Sequence, residues 1–322
     1  MLTQSQLDAA RDVVYQAMAP TPAYRWPLLA KAAGTTIIVK HENMTPIGAF
    51  KVRGGLVYVD RLKRERPHVK GIVSATRGNH GQSLAYASGR AGVACTIVVP
   101  EGNSKEKNAA MRAFGADVVE HGADFDAAIP KAAELAESLG YEMVPSFAPD
   151  LVAGVATYSH ELLTAAPDLD VVFVPIGLGS GICGMIQARN LLGHKAEIVG
   201  VVSDKADAYA QSFEAGERRT TDTANTFADG VAVRTPSPEA FAIIKEGVAR
   251  VARVSDDEVA DAMRLYFAAT HTVAEGAGAV PLAAVMAEKE ALKGKTVGVV
   301  LSGQNLDSDL YAKVLSGGVP TV

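Results

Sequence analysis

One lysine stands where it could perform covalent chemistry. Lys51 follows the apolar run at 36–39, which is typical of a buried strand, and precedes a helical pattern at 56–62. We therefore expect Lys51 to begin a helix, where the helix dipole is unfavourable for a cation. A partly desolvated amine there has a lowered pKa and can form a Schiff base with a carbonyl compound. A surface lysine in a turn explains the same residues equally well.

A second candidate site is the loop between a predicted strand at 71–75 and a predicted helix at 82–90. Backbone N–H groups at a helix N-terminus bind anions, so a substrate carboxylate would suit this loop. A tight turn that needs two glycines is the structural alternative. By itself, the histidine is more typical of a hydrogen-bonded loop residue than of a base. The candidate residues are Thr76, Arg77, Gly78, Asn79 and His80.

A glycine-rich loop follows the predicted strand at 171–174 and precedes a predicted helix at 185–192. Its backbone amides could close on a phosphate group. The segment also fits the dinucleotide pattern GxGxxG at 179–184, and Asp204 stands where a ribose-binding acid would be expected. An NAD(P)-dependent oxidoreductase is therefore a competing hypothesis. The residues assigned to phosphate binding are Gly177, Leu178, Gly179, Ser180 and Gly181.

Two further polar residues lie beside predicted element ends. Ser302 follows the predicted strand at 296–300, and its hydroxyl could bind a ring nitrogen or cap a helix that begins near Leu306. Glu275 precedes an alanine-rich helical segment. A carboxylate at a helix N-terminus is electrostatically favourable and needs no catalytic role.

Two blocks of alternating strands and helices, at 71–144 and 171–300, would position these residues. Apolar strands separated by helices indicate parallel sheets covered on both faces. We therefore predict an α/β protein of two doubly wound domains. Ligands of such sheets bind at strand C-terminal ends and in clefts between domains. The polar segment from Arg218 to Pro238, broken by Gly and Pro, predicts a long surface excursion.

Composition limits the classes of partner. With a net charge of -5 over 322 residues, the chain lacks the basic surface that nucleic acids or anionic membranes require. No apolar run approaches the roughly 20 residues needed to span a bilayer. The N-terminus has no signal-peptide pattern. Cys95 and Cys183 lie in apolar runs and predict two buried, reduced thiols. We expect a cytoplasmic protein that binds a small molecule.

Taken together and in order, the segment 49–54, the loop 74–81, the glycine loop, Glu275 and the segment 302–305 resemble the threonine/serine dehydratase and serine racemase family. The resemblance covers about residues 21–307, and the order of the motifs is far more specific than any one motif. These are pyridoxal-phosphate enzymes of fold type II, the tryptophan-synthase-β-like fold. The resemblance implies a large cofactor-binding domain at 1–65 and 149–322, a small substrate-binding domain at 66–148, and a homodimer.

The resemblance also assigns roles to the candidate residues. It implies that Lys51 holds pyridoxal phosphate as a Schiff base, that Phe50 packs beside the cofactor ring, and that Asn79 bonds its 3-hydroxyl. Ser302 would face the pyridine nitrogen, and Glu275 would also lie beside the cofactor. The loop 76–80 would bind the substrate, and the amides of 177–181 the phosphate. The family usually has four consecutive glycines there, which Leu178 and Ser180 interrupt.

The implied activity is loss of water from a β-hydroxy-α-amino acid such as L-threonine or L-serine, giving a 2-oxo acid and ammonia. A serine at the pyridine nitrogen favours elimination over transamination. Arg77 replaces the serine base of the racemases, and because arginine stays charged we expect weak or absent racemisation. Arg77 could instead suit a bulkier substrate such as 3-hydroxyaspartate or phenylserine.

Other departures from the family limit the alternatives. Val202 and Ala208 stand where related enzymes carry metal-binding acids, so we expect no metal site of the family type. A cation bound through carbonyls, or through Asp204 and Asp207, stays open. The short segment after Ser302 predicts no regulatory domain and no feedback by isoleucine. Residues 79–81 are Asn-His-Gly. We therefore rank a β-replacement synthase below an enzyme that catalyses elimination. A non-catalytic amino-acid or cofactor-binding module is the remaining hypothesis.

Overall fold

The structure is a computed structural model that describes residues 1–321. Helices and strands alternate along most of this range. The helices are α1 (Gln4–Tyr15), α2 (Pro27–Ala33), α3 (Lys51–Glu65), α4 (Asn79–Ala91), α5 (Lys105–Ala113), α6 (Phe125–Leu139), α7 (Pro149–Ala165), α8 (Ser180–Leu192), α9 (Ala208–Ala215), α10 (Pro238–Gly247), α11 (Asp256–Thr270), α12 (Gly276–Ala287) and α13 (Ser308–Leu315). The strands are β1 (Ala23–Arg25), β2 (Thr36–His41), β3 (Gly71–Ala75), β4 (Ala94–Val99), β5 (Asp117–Glu120), β6 (Glu142–Met143), β7 (Val171–Pro175), β8 (Glu197–Ser203), β9 (Arg250–Val254) and β10 (Thr296–Leu301).

The strands form two sheets. The larger has the order β1-β2-β10-β7-β8-β9, and the smaller has the order β5-β4-β3-β6. All neighbouring strands pair in parallel except the edge strand β1, which is antiparallel to β2. The predicted α/β class with parallel sheets is therefore confirmed.

Both faces of the larger sheet are covered, as expected for a parallel sheet. Successive strand residues point to opposite faces. Val171 and Phe173 accordingly join a core with α2, α11 and α12, while Val172 and Val174 join a core with α7, α8 and α10. Burying each such side chain contributes roughly 1.5–3 kcal/mol of hydrophobic free energy. The rigid sheet that results holds the loops at its strand ends.

Two functional loops are shorter than the sequence predicted. Helix α4 begins at Asn79 rather than near Gln82, and α8 begins at Ser180 rather than near Met185. The residue before α8, Gly179, has φ 104°, a backbone conformation that favours glycine. Asn79 and Ser180 therefore lie in the first turns of their helices. Helices α2, α7, α9, α10 and α11 were not predicted from the sequence.

Helix α3 connects the two sheets. It follows β2 of the larger sheet, yet Val52, Leu56 and Val59 pack in one core with Ile72 and Leu84 of the smaller sheet's layer. Helix α3 also packs closely on α7, because a Cβ added to Gly154 would lie only 2.2 Å from the carbonyl oxygen of Arg53. The domain boundaries given above remain a prediction.

A buried ionic network holds the first turn of α3. The fully buried guanidinium of Arg53 donates to Glu42 at 2.8 Å and 3.0 Å and to Glu161 at 2.7 Å and 3.0 Å. Lys40 forms a further ion pair with Glu161. Bidentate arginine–carboxylate pairs fix geometry as well as charge. This network therefore fixes the backbone two residues after Lys51.

Candidate active site

The residues predicted from the sequence line one cavity of about 400 Å³. It lies at the C-terminal ends of β3, β7 and β10, so loops from both sheets form its walls. A cavity of this size suits a cofactor or drug-sized ligand. The predicted residues that line it are Phe50, Lys51, Thr76, Arg77, Gly78, Asn79, His80, Gly177, Leu178, Gly179, Ser180, Gly181, Glu275 and Ser302.

Lys51 is the first residue of α3, as predicted. Its Nζ lies 3.1 Å from Ser180 Oγ and 5.0 Å from the centre of the Phe50 ring. Burial lowers the pKa of Lys51 to about 8, and the negative charge of Glu275 partly opposes this shift. A larger fraction of the amine is therefore neutral near pH 7 than in an exposed lysine. A neutral amine is the form that attacks carbonyl groups.

The backbone of the glycine loop packs closely against neighbouring segments. A Cβ on Gly177 would lie 2.3 Å from the carbonyl oxygen of Gly230, and one on Gly179 would lie 2.6 Å from Ala240 Cβ. The carbonyl of Leu178 accepts a hydrogen bond from Tyr209 Oη at 3.1 Å, which fixes the non-glycine position. First-turn N–H groups of a helix have no intrahelical acceptor. This wall therefore fits the phosphate group of a cofactor.

Asn79 bonds to a buried carboxylate on the opposite side of the cavity. Its Nδ2 donates to Glu275 Oε1 at 2.8 Å and Oε2 at 3.1 Å, and its Oδ1 accepts from Asn305 Nδ2 at 2.8 Å. Glu275 is only 2% exposed. Burial raises its pKa to about 7, against the opposing positive charge of Lys107. A Cβ at position 303 would lie 2.4 Å from Glu275 Oε1, so Gly303 leaves room for this orientation of the carboxylate.

The side chain of Ser302 is available to a ligand. Ser302 is 3% exposed and lines the cavity, and its hydroxyl has no hydrogen-bond partner among residues 1–321. Its carbonyl accepts from the backbone N–H of Phe50 at 2.9 Å. The alternative that Ser302 caps a helix near Leu306 is wrong, because α13 begins at Ser308 and its N-cap is Asp307.

The loop after β3 presents three different side chains. Thr76 Oγ1 accepts from the backbone N–H of Gly78 at 3.2 Å and shapes the turn. His80 is buried, and burial, followed by the charge of Lys51, lowers its pKa to about 3. Arg77 is exposed at the cavity rim and forms no ion pair within the described part of the chain. The neutral imidazole and the unpaired guanidinium are thus both free to contact a substrate.

Sequence reasoning missed one wall of the cavity. The segment 217–237, nearly the same stretch as the 218–238 that was predicted as a surface excursion, instead contributes residues 222–225 and 229–235 to the lining. Within it, Asp229 pairs with Lys107 of α5, and Arg234 pairs with Asp126 of α6. A signal existed for Lys107, which precedes the buried Met111 by four residues and so lies on the apolar face of its helix.

The dinucleotide alternative gains no support from the site. Asp204 follows β8 directly but does not line the cavity. Gly184, the last glycine of the GxGxxG pattern, is explained by packing, since a Cβ there would lie 3.0 Å from the backbone nitrogen of Ala156. Within residues 1–321, no group of three or more His, Cys, Asp or Glu side chains is arranged to hold a metal ion.

Comparison with known proteins gives the family. The profile of the family described as pyridoxal-phosphate dependent enzyme matches residues 14–303. The L-threonine ammonia-lyase of Thermotoga maritima is 32% identical over 99% of this chain and 79% of its own length. The L-threo-3-hydroxyaspartate ammonia-lyase of Saccharomyces cerevisiae is 33% identical over 92% of this chain and 91% of its own length. The chain spans 58% of the biosynthetic L-threonine dehydratase of Salmonella typhimurium.

A solved structure supports the same assignment. A pyridoxal 5'-phosphate-dependent aspartate racemase superposes with a TM-score of 0.90 and 30% identity, over 96% of this chain and 97% of that chain. The chain belongs to the family of pyridoxal-phosphate-dependent enzymes. The resemblance inferred from the motifs and the fold type II assignment are confirmed, and the cofactor is pyridoxal phosphate. A helix able to cross a membrane does not occur within residues 1–321.

Proposed function

We propose that this protein is a lyase that removes water from a β-hydroxy-α-amino acid and releases ammonia and a 2-oxo acid. The observation that carries the proposal is the meeting of Lys51, the glycine loop and the unpartnered Ser302 hydroxyl in one cavity. The ammonia-lyase relatives support the same reaction class. Pyridoxal phosphate, when bound, supplies an electron sink that stabilises negative charge at the substrate α-carbon.

We assign the cofactor contacts to three walls of the cavity. Lys51 would hold the cofactor through its aldehyde, and the amides of 177–181 would hold its phosphate. Phe50 would pack beside the ring, Asn79 would bond the 3-hydroxyl with Glu275 behind it, and Ser302 would face the ring nitrogen. Support comes from the shared cavity, the lowered pKa of Lys51 and the free Ser302 hydroxyl.

Lys51, the loop 76–80 and Ser302 each have a separate role in the proposed reaction. With substrate bound, the Lys51 amine would be the base for the α-proton, which its pKa of about 8 permits near neutral pH. The first-turn amides of α4, in the loop 76–80, hold the substrate carboxylate. Ser302, as a neutral partner, would disfavour full protonation of the ring nitrogen, and this would favour prompt loss of the β-hydroxyl.

The substrate class follows from Arg77 at the rim. Its unpaired guanidinium suits a substrate with a second carboxylate, such as 3-hydroxyaspartate, or an aromatic ring, such as that of phenylserine. Threonine and serine remain the reference substrates. Racemisation is the second candidate activity, because the aspartate racemase shares the fold. The absence of a neutral base at position 77 weighs against it.

The test combines covalent trapping with a substrate screen. Borohydride reduction followed by mass spectrometry should place a pyridoxyl group on Lys51, and Lys51→Ala should abolish both the adduct and ammonia release. Lys63→Ala, in the exposed part of the same helix, is the matched control and should keep both. Ammonia release should then be measured across stereoisomers of serine, threonine, 3-hydroxyaspartate and 3-phenylserine. No adduct on Lys51 in the control would refute the proposal.

We also propose a cytoplasmic homodimer. The free, buried thiols of Cys95 and Cys183 are consistent with a reducing compartment. The dimer is inferred from the family resemblance. Analytical ultracentrifugation of the purified holoenzyme would test it, and a monomer at micromolar concentration would contradict it.

A further inference from the structure

A second lysine lies in the cavity wall, and the proposed reaction does not use it. Lys107 of α5 is 5% exposed and lines the cavity. A charged amine is costly to bury unless it is paired. Here it forms an ion pair with Asp229 of the segment 217–237. The structure thus places a paired, buried cation beside the reaction site.

The stem of Lys107 supports the substrate loop. A Cβ added to Gly78 would lie 2.6 Å from Lys107 Cδ, so only glycine fits at that position without moving the lysine. Two hydrogen bonds connect the N-terminal end of α5 to the segment that follows β10. Ser104 bonds to the Asp307 carboxylate, and Glu106 accepts from the backbone N–H of Ser308 at 2.9 Å. The ammonium group is therefore fixed in place.

Lys107 and Glu275 are both buried and line the same cavity, so the charge of Lys107 acts on Glu275. Burial raises the pKa of Glu275 to about 7, and the positive charge of Lys107 is the largest influence that opposes this rise. The neighbouring charge of Asp229 acts in the other direction. The groups that face Glu275 are Lys51 from α3, Asn79 from α4, Lys107 from α5, Asp229 from the segment 217–237 and the backbone of Asn305 after β10.

The state of Glu275 matters because of its contact with Asn79. An ionised carboxylate only accepts hydrogen bonds, so it turns the NH₂ end of the Asn79 amide toward itself. Asn305 donates to the oxygen end of the same amide at 2.8 Å. Both contacts favour one orientation of Asn79. A protonated Glu275 could donate instead, and the contact with Asn305 alone would then favour that orientation.

We propose that Lys107 is a positioning residue: its buried ammonium group, anchored by Asp229, balances the Glu275 carboxylate and thereby fixes the Asn79 side chain that faces the cofactor. The inference deepens the proposed function and rests on it for the role of Asn79. Lys107 itself touches neither the cofactor nor the reacting atoms in this assignment.

The first measurement follows the protonation of Glu275 directly. Infrared pH-difference spectra of the holoenzyme would record the C=O band of the protonated carboxyl, assigned by its loss in Glu275→Gln. We expect a midpoint near the pKa of about 7 in the unmodified protein. Lys107→Met should raise that midpoint by about one pH unit, because the charge that opposes protonation is gone. Asp229→Asn should lower it, and Lys107→Arg should leave it nearly unchanged.

The second measurement connects this titration to turnover. If the ionised form is required, a one-unit shift lowers kcat at pH 7 by about fivefold in Lys107→Met, and most of the loss is recovered at pH 9. A merely structural role would lower kcat at every pH. The matched control is Lys105→Met, the same substitution at an exposed position of α5, which should behave like the unmodified enzyme.

The outcomes separate the two proposals. An unchanged band midpoint in Lys107→Met, or an equal shift in Lys105→Met, overturns the inference. A shifted midpoint without recovery of kcat at pH 9 also overturns it, since Asn79 would then not depend on the charge of Glu275. The infrared readout needs no turnover. Absence of ammonia release from every amino acid would therefore refute the proposed function while leaving the Lys107–Glu275 relationship testable.

Discussion

The Nζ nitrogen of Lys51 lies 3.1 Å from the Oγ oxygen of Ser180. This contact joins the first turns of α3 and α8, two helices that pack in different hydrophobic cores. The lysine thus meets the proposed phosphate-binding wall inside a desolvated site. Its pKa is lowered by burial to about 8.

The rate at which the apoenzyme takes up cofactor should depend on pH accordingly. Only the neutral amine reacts, and below the pKa its fraction falls about tenfold per pH unit. The rate of visible absorbance change on mixing apoenzyme with pyridoxal phosphate should therefore rise steeply with pH and level off above about 8. A midpoint at the ordinary lysine value would contradict the desolvated site.

Substitutions at Ser302 should separate loss of a contact from a change of reaction. Ser302→Ala removes one hydrogen bond, equivalent to about 0.5–1.5 kcal/mol, so kcat for ammonia release should fall about two- to tenfold. Ser302→Asp offers a carboxylate to the ring nitrogen and should increase the share of transamination. The products can be separated by chromatography. An unchanged product ratio in Ser302→Asp would argue against a position beside that nitrogen.

Arg77 should determine substrate preference. If its guanidinium binds a substrate carboxylate, Arg77→Ala should lower kcat/KM for 3-hydroxyaspartate about tenfold more than for threonine, since a charge-assisted hydrogen bond contributes about 1.5–3 kcal/mol. Chiral chromatography of serine incubated with the unmodified enzyme should detect no racemisation. Equal losses for both substrates would place Arg77 outside the substrate contacts.

The buried network around Arg53 should dominate the stability of this region. Arg53→Met leaves Glu42 and Glu161 without their main counter-charge and should cost about 3–5 kcal/mol of unfolding free energy. Arg64→Met is the matched control, because this exposed residue of the same helix pairs only with Asp60. It should cost less than about 1 kcal/mol. Urea denaturation followed by circular dichroism would measure both, and similar losses would contradict the role of the network.

Local patterns were sufficient to predict the parts of the fold that depend on short-range order. The apolar runs gave the central parallel strands, and Lys51 was expected at a helix start, where it is found. Most of the cavity residues were found because they follow strand ends, and the C-terminal ends of parallel strands share one edge of a sheet. Glu275 was found instead as a carboxylate before a helix.

Contacts between distant segments were not predictable in the same way. The Lys107–Asp229 pair joins residues 122 positions apart, and no local period links them. The stretch 218–238 was expected to be a surface excursion because it is polar, yet several of its polar residues line the cavity. Helix α7 was missed because Val152, Gly154, Ala156 and Tyr158 are all buried, which removes the amphipathic signal.

Helix α3 has a further consequence for experiments. Its body packs with the smaller sheet, whereas the glycine loop belongs to the larger one, so a cofactor bound as proposed, at Lys51 and at 177–181, would bridge the two layers. Sliding of one layer past the other would then strain the chromophore and alter its colour and fluorescence. The absorbance and fluorescence of the cofactor would thus report relative motion of the two layers without any added label.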